Sequence, residues 1–175
     1  MLLGPNGQLG KSLKNHLEPF HELECADKKK FDFLNPTNFS DILKKSKPSL
    51  VINAAAYTDV EGAESNENLA NQINSEALKY IASACEALDL TLLHFSTDYV
   101  FDGNKNTPYL EDDKPNPIST YGNSKLLGEK IISDNMENYI IFRTSGVISN
   151  NTNNFINKIM FAAETQKELK IVDDQ

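Results

Sequence analysis

The sequence predicts an α/β fold in which a doubly wound parallel sheet is covered by helices. Short apolar runs alternate with helical patterns along almost the whole chain. The run Leu50–Ala56 consists of small and β-branched residues, as in a strand buried on both faces. Such alternation implies parallel strands that are joined by crossover helices on both faces of one sheet. The chain is therefore expected to fold around a single parallel sheet.

Each predicted element rests on a run of residues with the appropriate periodicity. The predicted strands are Met1–Leu3, Leu23–Ala26, Leu50–Ala56, Thr91–Ser96, Tyr139–Thr144 and Leu169–Val172. The predicted helices are Gln8–Leu17, Asn38–Lys45, Glu67–Leu88, Tyr121–Ser133 and Phe155–Thr165. The longest helix carries an apolar stripe at helical spacing, which comprises Leu69, Ile73, Ala77, Tyr80, Ile81 and Ala84. Residues 102–119 are rich in glycine, asparagine and proline, which indicates a loop.

Composition excludes several classes of protein. The chain has 175 residues with a net charge of −8, which suits one domain or slightly more and disfavours non-specific binding to nucleic acid. No apolar run has the length of a membrane span, and the first residues lack the pattern of a secretory signal. Cys25 and Cys85 have no metal-site or disulfide spacing, so two free thiols in a cytoplasmic protein are expected. His16, His21 and His94 lie far apart in the sequence, so no metal site or catalytic triad is predicted from them.

A glycine-rich turn is the first candidate functional motif. Gly4-Pro5-Asn6-Gly7-Gln8-Leu9-Gly10 follows the first strand and opens a helix, as in a nucleotide-binding fold of the Rossmann type. Backbone N–H groups at a helix N-terminus favour a pyrophosphate. Asp27 ends the second strand, near the spacing expected of a carboxylate that binds an adenosine ribose. Lys28 beside it could attract a 2′-phosphate, so NADH and NADPH both stay open, and a purely structural turn is the alternative for the motif.

Two further motifs follow the fourth strand. Tyr121 and Lys125 lie four residues apart near a predicted helix start, so both side chains share one helical face. A nearby ammonium is expected to lower the pKa of the Tyr121 phenol and make it a proton donor. Thr97 and Asp98 follow the strand Thr91–Ser96, and ligands bind at the carboxyl ends of strands in such sheets. The alternatives are an exposed helix start for the pair and a strand-end cap for Thr97.

Taken together, these motifs resemble the extended short-chain dehydrogenases/reductases and, among them, the dTDP-4-dehydrorhamnose reductase family. The resemblance covers essentially the whole chain. The matching stretches are Gly7–Gly10, Asn53–Thr58, Ala63–Ser65, Ser96–Gly103, Tyr121–Lys125, Gly128–Glu129 and Phe142–Ser145.

The resemblance implies a role for each matching residue. Thr97, Tyr121 and Lys125 match the catalytic triad, and Thr97, Asp98 and Gly146 match substrate positions. The positions that match dinucleotide contacts are Gly4, Gly7, Gln8, Leu9, Gly10, Asp27, Asp32, Phe33, Ala56, Tyr57, Thr58, Phe95, Tyr121 and Lys125. The implied reaction is reduction of the 4-keto group of a nucleotide-sugar by NADPH or NADH, converting dTDP-4-dehydro-L-rhamnose to dTDP-L-rhamnose for surface polysaccharides. Some members bind magnesium, for which the sequence places no ligands, and a homodimer is compatible with the resemblance.

One departure from the family pattern lies at a position that contacts the sugar. Gly146 stands where the family has a tryptophan that helps to hold the sugar, and the chain contains no tryptophan. The identity of the sugar is therefore open. A 4,6-dehydratase or epimerase is a rival, although Tyr99 replaces the glutamate that dehydratases carry. A non-catalytic dinucleotide-binding subunit, like the regulatory subunit of methionine adenosyltransferase, is a second rival.

The resemblance also divides the chain. Residues 1–145 are expected to form the dinucleotide-binding domain, and residues 146–175 are expected to begin the substrate-binding portion. Because Gln175 closely follows the last predicted strand, the C-terminal substrate domain is expected to be largely absent. We therefore expect this segment to bind the dinucleotide and to turn over nucleotide-sugars poorly.

Overall fold

Five parallel strands form the centre of the molecule. The computed structural model describes residues 1–149, 154–165 and 168. The strands are β1 (Leu2–Leu3), β2 (Cys25–Ala26), β3 (Leu50–Asn53), β4 (Thr91–Thr97) and β5 (Tyr139–Thr144). They pair in the order β2-β1-β3-β4-β5, and every pair is parallel. Because the order runs outwards in both directions from β1, this is the predicted doubly wound sheet.

Helices connect the strands. They are α1 (Gln8–Leu17), α2 (Phe39–Ser46), α3 (Val60–Ser65), α4 (Glu67–Asn71), α5 (Ala77–Glu86), α6 (Thr120–Asn135) and α7 (Phe155–Thr165). Short 3₁₀ turns cover Pro36–Asn38 and Asp98–Val100. The predicted strand Leu169–Val172 lies outside the described residues.

Side chains from β1, β3, β4, α2, α5 and α6 form the main apolar core. Phe39 and Leu43 of α2, Leu78 and Ile81 of α5 and Ile132 of α6 are almost fully buried there. An apolar contact surface of this kind supplies most of the free energy that holds a helix to a sheet. The core thus fixes α6 against the sheet, and α6 carries two of the predicted catalytic residues.

The long predicted helix is interrupted by a π-helical turn over Gln72–Glu76, which separates α4 from α5. A π turn adds a residue and rotates all later side chains around the helix axis relative to an uninterrupted α-helix. The single stripe predicted for Glu67–Leu88 was therefore wrong at Tyr80, which is 47% exposed, while Leu78 takes a buried place.

Two local features differ from the sequence-based expectation. The third strand ends at Asn53 rather than Ala56, because Asn53 Oδ1 accepts a hydrogen bond from the Ala55 N–H at 3.1 Å and turns the chain out of the sheet. The helix Val60–Ser65 was not predicted. Asp59 caps it by accepting a hydrogen bond from the Gly62 N–H at 2.9 Å.

Candidate functional site

The glycine turn joins β1 to α1 and lies against the end of β3. Gly4 has φ +72°, and a Cβ there would lie 2.7 Å from the Ala55 nitrogen. A Cβ at Gly10 would lie 1.9 Å from the Gly4 carbonyl oxygen. Gly7 is the N-cap of α1 and has no side chain with which to satisfy the first N–H groups of the helix. Because no side chain accepts hydrogen bonds from these N–H groups, they can donate to an anionic group of a ligand.

A cleft of about 260 Å³ opens beside this turn, and we call it the glycine-turn cleft. Six of the residues predicted to contact a dinucleotide line it: Gly4, Gly7, Asp27, Asp32, Phe33 and Ala56. Asp27 Oδ1 accepts hydrogen bonds from the backbone N–H groups of Lys29 and Lys30 at 3.0 and 3.2 Å. Asp27 therefore shapes the turn after β2 and also presents a carboxylate to the cleft.

Three residues of the motif have other contacts. Gly10 is buried and permits the close approach of α1 to Gly4. Gln8 donates a hydrogen bond from Nε2 to the Val147 carbonyl oxygen at 2.5 Å, and Leu9 is half-buried. None of the three lines the glycine-turn cleft.

The remaining predicted dinucleotide contacts lie towards β4 and α6. Tyr57 packs against a small apolar cluster of Ala63, Ala70 and Tyr121, and its neighbour Ala56 lines the glycine-turn cleft. Thr58 is exposed. The Phe95 ring stacks on Phe142 with 5.8 Å between centroids. Tyr57 thus connects the glycine-turn cleft with the region of the predicted catalytic residues.

The predicted catalytic residues come from the end of β4 and the first turns of α6. Thr97 is 5% exposed and is the last residue of β4. Its hydroxyl donates to Asp98 Oδ1 at 3.1 Å and accepts from the Tyr99 N–H at 3.2 Å. Tyr121 lies in the first turn of α6 and meets the Tyr99 ring edge-to-face at 5.7 Å. Lys125 follows one turn later and is 1% exposed.

The two titratable residues of this group have altered proton affinities. Burial lowers the pKa of Lys125 to about 8, although the charge of Glu129 opposes this. Its Nζ donates a hydrogen bond to the Phe95 carbonyl oxygen at 2.6 Å. Burial raises the pKa of Tyr121, and the carboxylate of Asp98 raises it further, while the Thr97 hydroxyl opposes the rise. The expectation of a lowered pKa at Tyr121 was therefore wrong for this structure, because desolvation of the phenol dominates.

Of the predicted substrate positions Thr97, Asp98 and Gly146, only Asp98 lines a second, larger groove. Asp98 is exposed and lines this groove of about 1140 Å³ together with Phe101, Glu111 and Arg143. Gly146 is exposed, and a Cβ at this position would meet no atom within 4 Å. The structure thus has open space where an aromatic side chain would add surface.

A partly buried ion pair was not predicted. Arg143 Nη2 of β5 lies 2.7 Å from Glu129 Oε2 of α6, and Ser96 donates to Glu129. The Arg143 guanidinium also lies 5.1 Å from the centre of the Phe101 ring. Both charged residues lie in stretches that match the family, and this match was the one feature of the sequence that could have marked them as part of the site. Their contact joins a helix and a strand across 14 residues, so spacing alone could not reveal it.

The π-helical turn contributes a second polar contact that the sequence did not reveal. Asn74 Oδ1 accepts from the Tyr57 N–H at 2.8 Å, and Asn74 Nδ2 donates to the Tyr57 carbonyl oxygen at 3.0 Å. Asn74 Nδ2 also donates to Ser124 Oγ at 2.9 Å. Asn74 therefore ties the loop after β3 to α6.

Two negative findings apply to residues 1–149, 154–165 and 168. Within these ranges no three His, Cys, Asp or Glu side chains come together as a metal site would require. Within the same ranges no helix has the length and apolar character needed to cross a membrane.

The fold and the turn after β1 place the chain in the class of doubly wound α/β domains with a glycine-rich turn at the first helix. The family model of the RmlD substrate binding domain matches residues 1–175, and the chain belongs to this family.

Individual relatives agree with that assignment. The chain is 38% identical to dTDP-4-dehydrorhamnose reductase of Shigella flexneri over 179 aligned residues, which is 100% of this chain and 60% of the relative. A dTDP-4-dehydrorhamnose reductase structure from Clostridium acetobutylicum has a TM-score of 0.94 at 35% identity and covers 99% of this chain and 62% of that one. One from Bacillus anthracis in complex with NADP has a TM-score of 0.91 at 34% identity, over 96% and 60% of the two chains. The chain therefore spans about 60% of the length of the relatives it matches.

Proposed function

We propose that this chain provides the dinucleotide site and the catalytic residues of an NAD(P)H-dependent reductase of nucleotide-sugars. The proposed substrate is dTDP-4-dehydro-L-rhamnose, and the product is dTDP-L-rhamnose. In this proposal residues 1–145 bind the dinucleotide and residues 146–175 begin the substrate-binding portion. The cytoplasm, where nucleotide-sugars are made, is the proposed location.

One observation carries the proposal. The glycine-turn cleft and the group of Thr97, Tyr121 and Lys125 lie at the carboxyl ends of parallel strands, and Ala56 and Tyr57 connect them. In open α/β sheets this edge is where ligands bind. The similarity to a reductase with bound NADP supports the same placement.

The residues of the glycine-turn cleft fit a dinucleotide. The N-terminus of α1 offers uncapped N–H groups to a pyrophosphate, and Asp27 offers a carboxylate to ribose hydroxyls. A bound NADPH or NADH would supply the hydride that reduces the keto carbon. The 2′-phosphate of NADPH would meet like charge at Asp27, whereas the neighbouring Lys28 favours it, and both line the cleft.

The residues at the end of β4 and in α6 then act on the carbonyl oxygen. The Thr97 hydroxyl turns its one hydrogen from Asp98 to this oxygen, and Tyr121 donates its phenolic proton to the oxygen as negative charge develops there. The raised pKa of Tyr121 keeps the phenol protonated before the reaction, as a donor must be. Lys125 supplies positive charge one turn away on the same helix face, which stabilises the phenolate that remains.

The proposal is tested by two measurements. Calorimetric titration of this chain with NADPH and NADH should show binding of at least one of them. Because these 175 residues alone are expected to turn over nucleotide-sugars poorly, oxidation of NADPH with dTDP-4-dehydro-L-rhamnose should be compared between the full-length protein and its Tyr121→Phe variant, which keeps the ring and removes only the proton donor. The rate should fall by about 10²–10⁴ while dinucleotide affinity stays unchanged. A chain that binds neither dinucleotide, or a variant with undiminished turnover, would refute the proposal.

A further inference from the structure

A buried chain of three polar side chains connects β3, β4 and α6. Asn53, His94 and Lys125 are each 1% exposed. Asn53 Nδ2 lies 3.1 Å from His94 Nδ1, and His94 Nε2 lies 3.4 Å from Lys125 Nζ. Buried polar groups carry a large cost unless they are satisfied, so the direction of each hydrogen bond in this chain matters.

The backbone at Ala55 fixes the direction of the first hydrogen bond. The Ala55 N–H donates to Asn53 Oδ1 at 3.1 Å, so the amide oxygen faces the backbone and the amide nitrogen faces His94. An amide NH₂ group only donates, and His94 Nδ1 must therefore accept and carries no hydrogen. Burial and the nearby Lys125 hold the pKa of His94 well below its usual value, so the ring is neutral. Its one N–H hydrogen is then on Nε2, facing Lys125.

The hydrogen on His94 Nε2 interacts differently with the ammonium and with the neutral amine of Lys125. An ammonium has only hydrogens to offer, as does His94 Nε2–H, so the two do not share a hydrogen bond. A neutral amine has a lone pair that can accept from Nε2–H. The Phe95 carbonyl oxygen accepts a hydrogen from Lys125 in either state, since both states carry N–H groups.

We propose that Asn53 and His94 are positioning residues that direct an N–H group at Lys125 and thereby favour its neutral amine form. The proposal rests on the proposed function, in which the charge of Lys125 supports proton donation by Tyr121. With a pKa of about 8, Lys125 keeps mostly its ammonium form at pH 7, so the effect brings its proton exchange close to neutral pH without removing that charge. Neither Asn53 nor His94 need touch substrate or dinucleotide for this effect. They act on the reaction only through Lys125.

The other groups around Lys125 do not account for this preference. On α6, Glu129 favours the ammonium, but its charge is shared with Arg143 of β5 at 2.7 Å. Tyr121, one turn earlier on α6, is neutral at physiological pH because its pKa is raised. The π-helical turn that packs against α6 presents the uncharged Asn74 to it. Besides burial itself, His94 is therefore the group that disfavours the ammonium.

The tautomer of His94 can be measured without any substitution. In protein labelled with ¹⁵N-histidine, long-range ¹H–¹⁵N spectra report which ring nitrogen carries hydrogen. We expect His94 to be neutral with its hydrogen on Nε2 throughout the neutral pH range, and the exposed His16 and His21 serve as references. A hydrogen on Nδ1, or a charged ring, would overturn the proposal.

The substitution Asn53→Asp tests the effect on Lys125. A carboxylate of the same shape accepts from the Ala55 N–H with one oxygen and from His94 Nδ1–H with the other. The ring hydrogen then moves to Nδ1, and Nε2 becomes an acceptor for the ammonium. We expect the pKa of Lys125, followed through the ¹³Cε resonance, to rise by about 1–2 units above that of the unchanged chain.

A double variant separates this tautomer effect from the direct effect of a new charge. In an His94→Leu background, Asn53→Asp should shift the pKa of Lys125 by less than half as much. An equal shift in both backgrounds would show that the charge acts directly and would overturn the proposal. These spectra require neither substrate nor dinucleotide. They therefore test the tautomer proposal even if the proposed reductase activity is not found.

Discussion

The glycines of the turn after β1 differ in the atoms that surround them. Gly10→Ala should therefore lower the stability of the fold, whereas Gly7→Ala should lower the affinity for NADPH and leave the stability almost unchanged. A Cβ at Gly10 would lie 1.9 Å from the Gly4 carbonyl oxygen and 2.9 Å from the Pro5 Cα. These are backbone atoms that cannot rotate away, so the strain should reach the upper end of the usual cost of overpacking, about 3 kcal/mol. Because alanine is the better helix former by about 1 kcal/mol, the net loss of stability should be about 2 kcal/mol.

At Gly7 the added methyl group meets only the Gly4 carbonyl oxygen, at an ordinary 3.6 Å. The backbone there has φ −70°, which alanine adopts without strain. Stability should therefore change by less than about 0.5 kcal/mol. The methyl group does, however, lie in the glycine-turn cleft at the uncapped start of α1. Loss of one charge-assisted hydrogen bond to a pyrophosphate costs about 1.5–3 kcal/mol, so NADPH affinity should fall by about 10- to 100-fold.

Urea unfolding and calorimetric titration with NADPH together distinguish the two glycines. For a chain of this size, the loss at Gly10 corresponds to a decrease in Tm of about 4–8 °C. Gly146→Ala is the matched control, because no atom lies within 4 Å of the place that its added methyl group would take, and its stability should be unchanged. A Gly10→Ala variant as stable as the unchanged chain, or a Gly7→Ala variant with undiminished NADPH affinity, would refute the reasoning.

Three further substitutions test other parts of the site. Asp27→Asn removes the negative charge but keeps an oxygen that accepts hydrogen bonds from the following turn. The 2′-phosphate of NADPH then meets no like charge, so the ratio of NADPH to NADH affinity should rise. An unchanged ratio would show that the carboxylate does not face the ribose. Lys125→Met should stabilise the fold at pH 7, because the pKa of Lys125 falls to about 8 on folding and the buried ammonium opposes folding. The unfolded chain binds more protons between about pH 8 and 10.5, so the stabilisation measured by urea unfolding should shrink as pH rises through that window. A difference in stability that stays constant over this window would contradict the prediction. Asn74→Ala leaves the Tyr57 N–H and carbonyl oxygen without their partner and removes one of the hydrogen bonds of Ser124, so unfolding by urea should show a loss of about 2–4 kcal/mol. A loss below about 1 kcal/mol would show that water replaces the amide.

The sequence predicted the sheet well because its signals are local. The strand Tyr139–Thr144 and the helices Gln8–Leu17 and Phe155–Thr165 have the predicted bounds. Apolar periodicity and turn residues report such elements without knowledge of the rest of the fold. The helix Val60–Ser65 escaped detection because it has only six residues and no apolar stripe. The π-helical turn Gln72–Glu76 escaped because its stabilising contacts reach across the molecule.

The chemistry of the candidate site was less predictable, because it depends on burial and on distant partners. The pair Tyr121 and Lys125 was visible as a spacing on one helix. The direction in which the pKa of Tyr121 moves depends instead on desolvation and on Asp98, neither of which the spacing contains. Likewise, His94 had no partner within its own stretch of sequence. Its neighbours Asn53 and Lys125 lie 41 and 31 residues away.

The burial of Lys125 links the stability of the fold to the proposed chemistry. An ammonium in the interior opposes folding, and the Phe95 carbonyl oxygen offsets part of this cost by accepting a hydrogen bond from Nζ at 2.6 Å. That oxygen is fixed because Phe95 belongs to β4, where it is in register with Phe142 of β5. The same contact therefore holds Nζ at a defined place two residues before Thr97. An exposed lysine would cost less stability, but it would neither hold this position nor exchange its proton near neutral pH.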